Sequence, residues 1–179
     1  NQTLVNQTLG EGEVSARVTG TPEVRVQETV FAGVWRVLGL SGAGVPASDH
    51  LEVGSYPEVL REAAEAGASR TLCIPPDVPP ECMNAPGVLV EIDEALADYH
   101  PGAPTHVVNL SLLPLSPGDM NFIDRVLGVS SVIILSRGYG NCRVTATGTR
   151  YLWRVQFYNS QDALILDTLE IAAMPDVVV

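Results

Sequence analysis

The side chains able to carry chemistry are few and scattered. Cys73, Cys82 and Cys142 are the only thiols and the weak candidates for metal ligands. Eight residues separate Cys73 from Cys82 across a proline-rich stretch, whereas structural zinc thiolates usually have only about two to four between them. Cys142 stands alone on an expected strand. A metal or iron–sulfur site would therefore need all three thiolates to converge through folding; the alternative is three idle or buried thiols. An odd, sparse set of cysteines is not a secreted disulfide framework. His50, His100 and His106 lie in loop-like stretches without a nucleophile motif, and no Gly-x-Ser-x-Gly elbow occurs. The adjacent carboxylates Asp93 and Glu94 fit the solvated face of a helix. The short Gly-x-Gly pieces at Gly10, Gly42 and Gly138 do not lead from a strand into a helix, so they read as turns and not as dinucleotide fingerprints. The expectation is a protein with no catalytic residues and no cofactor.

Two constellations suit binding better. Trp35-Arg36 and Trp153-Arg154 pair the residue types that most often anchor interfaces, although a tryptophan in an alternating strand more often belongs to the core. The loop Ser136–Cys142 presents Arg137, Gly138, Tyr139, Gly140 and Asn141, with a tyrosine held between glycines. Its plainer reading is a hairpin turn.

Charge narrows the function classes. All ten basic residues are arginine, set against 21 acidic residues, for a net charge of −11. That balance opposes nucleic-acid binding, which needs a basic face to neutralise phosphates. The lack of lysine excludes a P-loop lysine and Schiff-base chemistry. Hydrophobic residues make up 46% of the chain, enough for a real core. No apolar run reaches the roughly 18 residues that a membrane-spanning helix needs, so membrane insertion is not expected. The polar start lacks a basic n-region and a methionine. It reads as a cytoplasmic chain that begins inside a longer sequence.

The chain repeats itself. Shifted by 118 residues, positions 9–60 align without a gap and show 15 identities in 52 pairs, where chance gives roughly four. Leu9-Gly10 falls on Leu127-Gly128, Arg25-Val26 on Arg143-Val144, and Thr29 on Thr147. Trp35-Arg36-Val37 falls on Trp153-Arg154-Val155, and Asp49, Leu51 and Glu52 fall on Asp167, Leu169 and Glu170.

The second copy is easier to read. Ser116-Pro-Gly-Asp119 is a turn, with Asp119 expected to cap a helix on which Met120, Ile123, Val126 and Leu127 share a face. Gly128 ends that helix. Strands are expected at 131–136, 143–147, 151–158 and 163–171, where short connections favour an antiparallel meander. The first copy repeats the pattern with strands at 13–19, 24–31, 34–40 and 49–54, behind a helix cut short at residue 1. Residues 41–48 form a diverged loop. In the connector, 56–66 and 87–99 read as helices, 75–86 is too proline-rich for regular structure, and 106–112 is extended. The fold class is α+β. Two repeated units each set a helix on a four-stranded antiparallel meander, at 1–60 and 107–179, joined by a connector over 61–106. Exposed edge strands leave homodimer formation open.

The stretch LSRGYGNCRVTATGTRYLWRVQFYNSQDALILDTLEI (135–171) resembles the C-terminal domain of hydrogenase expression/formation proteins of the HupH/HyaF type. LGEGEVSARV (9–18), QETVFAGVWRV (27–37) and VVNLSLLPLSPGDMNFIDRVLG (107–128) resemble the same family, which carries this domain twice. The resemblance implies an accessory or chaperone role in maturing uptake [NiFe] hydrogenases. The partner it implies is the small-subunit precursor, which carries iron–sulfur clusters and a twin-arginine export signal.

Overall fold

The computed structural model describes residues 2–138 and 140–179. Each copy begins with a helix and continues as a meander. The first has α1 (Gln2–Leu9), β1 (Val14–Val18), β2 (Glu23–Glu28), β3 (Val34–Leu40) and β4 (Pro46–Val53). The connector holds α2 (Glu58–Glu65), α3 (Ala85–Asp98), β5 (His106–Asn109) and a 3-10 turn at Leu110–Leu112. The second copy has α4 (Pro117–Leu127), β6 (Val132–Ser136), β7 (Asn141–Ala146), β8 (Leu152–Tyr158) and β9 (Leu164–Ile171). The strands make one nine-stranded antiparallel sheet in the order β4-β3-β2-β1-β6-β7-β8-β9-β5.

The two meanders meet edge to edge at β1 and β6, whose five partnered positions run from Val14–Ser136 to Val18–Val132. Ala16 faces Ile134 at the centre, and these two residues are repeat equivalents. The pairing is therefore a local twofold, in which Val14–Ser136 at one end answers to Val18–Val132 at the other. Both strands bury alternate residues in the same pattern, as a strand with one core-facing side must.

Several identities of the repeat serve the fold. The Trp35 indole N–H donates to the Gly54 carbonyl at 2.9 Å, and Trp153 donates to Ala172 at 3.1 Å. Both tryptophans are buried, and truncating a core tryptophan to alanine typically costs about 3–5 kcal/mol. The hydroxyls of Thr29 and Thr147 each bridge a tight turn, accepting from the backbone N–H two residues on and donating to the carbonyl of that same residue.

Two apolar cores lie on opposite faces of the sheet. On one, Trp35, Val37, Ile134, Val144, Trp153 and Val155 are covered by Leu60 and Ala64 of α2 and by Met174 and Val178 of the C-terminal tail. Leu60 and Val178 are again repeat equivalents. On the other face, α3 and α4 pack Leu89, Ile92, Phe122 and Ile123 against Val108, Leu152, Leu169 and Ile171.

The structure corrects four local expectations. Asp119 is not the N-cap of α4; Ser116 is, and its hydroxyl accepts from the Asp119 N–H at 3.1 Å while the Asp119 carboxylate accepts from the Ser116 N–H at 2.9 Å. Pro117 fits the first turn because no intrahelical donor is needed there. Helix α3 starts at Ala85 with Pro86 inside its first turn, for the same reason, so the proline-rich stretch is not irregular to its end. Strand β4 starts at Pro46, within the stretch expected to be loop, because an edge strand tolerates a proline that has no N–H to give. Asp93 is also half-buried rather than solvated, and its carboxylate accepts from the Leu72 N–H at 3.2 Å.

Asp119 ties α4 to α3. Its second oxygen accepts from the N–H groups of Ala85 at 2.8 Å and Asn84 at 2.9 Å, filling orphan donors at the α3 terminus. These bonds, led by that from Ala85, pull its pKa down to about 2. A carboxyl depressed in the folded state stabilises fully above its unfolded pKa of about 3.9 and loses that contribution as pH falls through the folded value. Asp119→Ala is therefore expected to lower the denaturation midpoint at neutral pH. The gap to the unaltered chain should close between about pH 4 and about pH 2, as followed by circular dichroism in urea across that range.

Candidate binding groove

The face of the sheet opposite the Trp35–Trp153 core carries α1 over the first copy and α4 over the second, leaving the central strands bare between them. β1 presents Ser15 and Arg17 there, and β2 presents Arg25 and Gln27. β6 presents Ile133 and Leu135, and β7 presents Arg143. With Asn6, Leu9 and Glu11 at the α1 side, these residues line a groove of about 660 Å³. A second hollow of about 350 Å³ shares Leu135 and Arg143 and runs on to Arg137, Asn141 and Tyr158.

The two copies contribute different chemistry. In the first, Glu23 accepts from Arg17 at 2.7 Å and Arg25 at 2.8 Å. Those two bonds hold its carboxyl below the usual range. In the second, Asn141 stands where Glu23 would fall and Leu135 where Arg17 would fall. Arg143, the counterpart of Arg25, is exposed and has no carboxylate within ion-pair range among the described residues. Half of the groove floor is thus a charged cluster, and half is apolar and closed by an unneutralised guanidinium. Such a surface can hold a polypeptide segment that carries both carboxylates and apolar side chains.

The residues singled out in the sequence fall into three groups. Trp35 and Trp153 are in the core and present no indole to a partner. Arg36 and Arg154 are structural as well as partly exposed. Arg36 grips Asp49 with two bonds of 2.8 and 2.6 Å and reaches Asn6 of α1. Arg154 grips Asp167 at 2.9 and 2.6 Å and reaches Asp124 of α4. Each arginine therefore ties the third and fourth strands of its meander to the leading helix. Arg137, Gly138, Gly140 and Asn141 form an exposed hairpin beside the second hollow; Tyr139 lies outside the described residues. Arg17, Arg25, Leu135 and Arg143 were not anticipated. Their outward strand positions were readable, but nothing in the sequence says that β1 pairs with β6, and that pairing makes them neighbours.

The cysteines do not converge. Cys82 belongs to the α3–α4 core and Cys142 to the core on the other face, so the sheet separates them, and Cys73 is exposed. The convergence that a three-thiolate site requires is thus overturned by strand alternation and sheet position. Among the described residues no group of three His, Cys, Asp or Glu could hold a metal ion. Burial pushes the Cys142 thiol up to about 12, which leaves it protonated and a poor nucleophile at neutral pH. The histidines sit at the surface, His50 beside Glu52 and His106 beside Glu91. No helix is long and apolar enough to cross a membrane, among the described residues.

The fold and the site together define a duplicated α+β scaffold with a mixed charged and apolar groove across its centre. The chain belongs to the HupH hydrogenase expression protein family, whose C-terminal conserved region matches residues 1–70 and 82–179. It is 54% identical over 177 residues to the hydrogenase expression/formation protein HoxQ of Cupriavidus necator, covering 99% of this chain and 62% of that protein. It is 48% identical over 178 residues to the hydrogenase expression/formation protein HupH of Rhodobacter capsulatus, covering 99% and 62%. With the hydrogenase-1 operon protein HyaF of Escherichia coli it shares 34% identity over 178 residues, covering 98% and 61%. The chain thus spans about three-fifths of the length of these relatives. A solved structure of the hydrogenase expression protein HupH from Thiobacillus denitrificans is 28% identical, with a TM-score of 0.48, over 54% of this chain and 80% of that one. The family resemblance read from the sequence is met, as is the α+β architecture of two repeated helix-on-meander units.

The paired arginines give a test of their structural role. The Asp167 side chain is 5% exposed and that of Asp49 is 33% exposed. Arg154→Ala should cost about 3–5 kcal/mol, since it strands a buried carboxylate. Arg36→Ala should cost only about 0–1 kcal/mol. Urea denaturation of the two variants compares them directly, and equal losses would contradict the difference in burial.

Proposed function

We propose that this chain is an accessory protein of [NiFe]-hydrogenase maturation that holds the small-subunit precursor in the cytoplasm before export, without catalysing a reaction. The observation that carries this reading is the groove on the central strands, where the exposed apolar side chain of Leu135 lies opposite Arg143 and shares the groove floor with Arg17 and Arg25. The names of the family's members, as hydrogenase expression and formation proteins, support the maturation role.

A basic, partly apolar groove suits an acid-bearing segment of the precursor's body better than its twin-arginine signal, which like charge would repel from these guanidiniums. The net charge of −11 gives the rest of the surface a long-range attraction for the arginine-bearing signal, which would speed encounter without defining the docking site. The groove and not the signal therefore sets affinity in this reading.

Affinity for the cognate precursor, measured by biolayer interferometry with and without its export signal, tests the proposal. Both forms should bind, and Leu135→Glu or Arg143→Glu should weaken binding by on the order of tenfold or more, with little change in the urea midpoint. Binding that vanishes with the signal, or that both variants retain in full, would overturn the groove assignment. Failure of either precursor form to bind would overturn the partner.

A further inference from the structure

The two copies are covered unequally. In the second, Phe122 and Ile123 of α4 pack onto Leu169 and Ile171 of β9, and all four are at most 1% exposed. They are sealed by Leu89 and Ile92 of α3 and by Val108 of β5. β5 also pairs antiparallel with β9 over four positions, from His106–Ile171 to Asn109–Thr168.

The repeat puts the same seam in the first copy. Leu4 and Val5 of α1 take the places of Phe122 and Ile123, and Leu51 and Val53 of β4 take those of Leu169 and Ile171. Here the four are 63%, 46%, 50% and 84% exposed. β4 is the terminal strand of the sheet, and its backbone from His50 to Val53 offers the register that β9 offers to β5. An apolar strip beside an unpaired strand is an unstable arrangement in water, and the molecule itself displays what closes it: a helix followed by a strand.

We propose that the open seam of α1 and β4 is the docking face for a strand and helix of the α3–β5 kind, supplied by the upstream polypeptide of the longer family members. Two observations favour this occupant. In the second copy the covering elements, Ala85–Leu112, lie directly ahead of α4, so their repeat equivalents fall within roughly 35 residues ahead of α1. The matched region is the family's C-terminal one, and the relatives have nearly two-fifths of their length outside the part this chain covers. The α1–β4 seam lies on the far side of α1 from the groove, so the inference stands independently of the precursor reading.

Hydrogen exchange followed by mass spectrometry tests it, on this 179-residue chain and on the full-length C. necator relative. Amides aligned with His50–Val53 and with α1 should exchange quickly in the shorter chain and at least about tenfold more slowly in the longer one. Light scattering with dilution separates the rival occupant. Protection that appears only in a dimer and is lost on dilution would make a second copy the occupant and overturn the proposal. Equal, fast exchange in both chains would overturn it too. As a second readout, Val53→Cys and its aligned counterpart should react quickly with a maleimide in the short chain and slowly in the long one.

Discussion

Everything in this structure hangs on the antiparallel pairing of β1 with β6. Each meander alone would end in two raw edges and one half-covered apolar face. Joining them at that pair removes one edge from each and makes a single core from two partial ones. The register is strict. A slip by one residue would send Val14, Ala16 and Val18 to the solvent side and bring Ser15 and Arg17 into the core. Because Ala16 and Ile134 are repeat equivalents at the centre of the pairing, the union works like an isologous dimer interface within one chain.

Duplication leaves a mark in where the copies agree and where they differ. They agree at residues that hold the unit together: the tryptophan N–H on a carbonyl, the threonine in the turn after the second strand, and the arginine clamped on the aspartate of the next strand. They differ across the four central strands, where Arg17 answers to Leu135 and Glu23 to Asn141. Symmetric residues can build the same fold twice. Only asymmetric ones can make a single groove with a charged end and an apolar end.

Charge is segregated in the same way. The chain as a whole is strongly acidic, yet Arg17, Arg25, Arg36 and Arg143 line one groove and Arg137 borders its extension. Arg17 and Arg25 share Glu23, and Arg36 holds Asp49, so the groove's character is set by which guanidiniums remain unmatched. Net charge from composition describes the far field and the solubility of the protein. The near field that a partner meets is decided by strand pairing.

The sequence by itself determined the unit. The gapless 118-residue repeat, the helical spacing of Ile123, Val126 and Leu127, and the alternation around Trp153 are local patterns of period 3.6 or 2, and they define a helix and a meander twice over. It also carried the family resemblance, and it excluded lysine chemistry outright. What it left open was decided by contacts between residues more than a hundred positions apart. Strand alternation showed that Arg17 and Leu135 point outward but not that they are neighbours. Composition showed three thiols but not that a sheet divides Cys82 from Cys142. The Trp-Arg pairs, read as interface anchors with core the commoner place for such tryptophans, became core and clamp only once Gly54, Ala172, Asp49 and Asp167 were brought beside them. A binding surface is made of such long-range adjacencies, and local periodicity has no term for them.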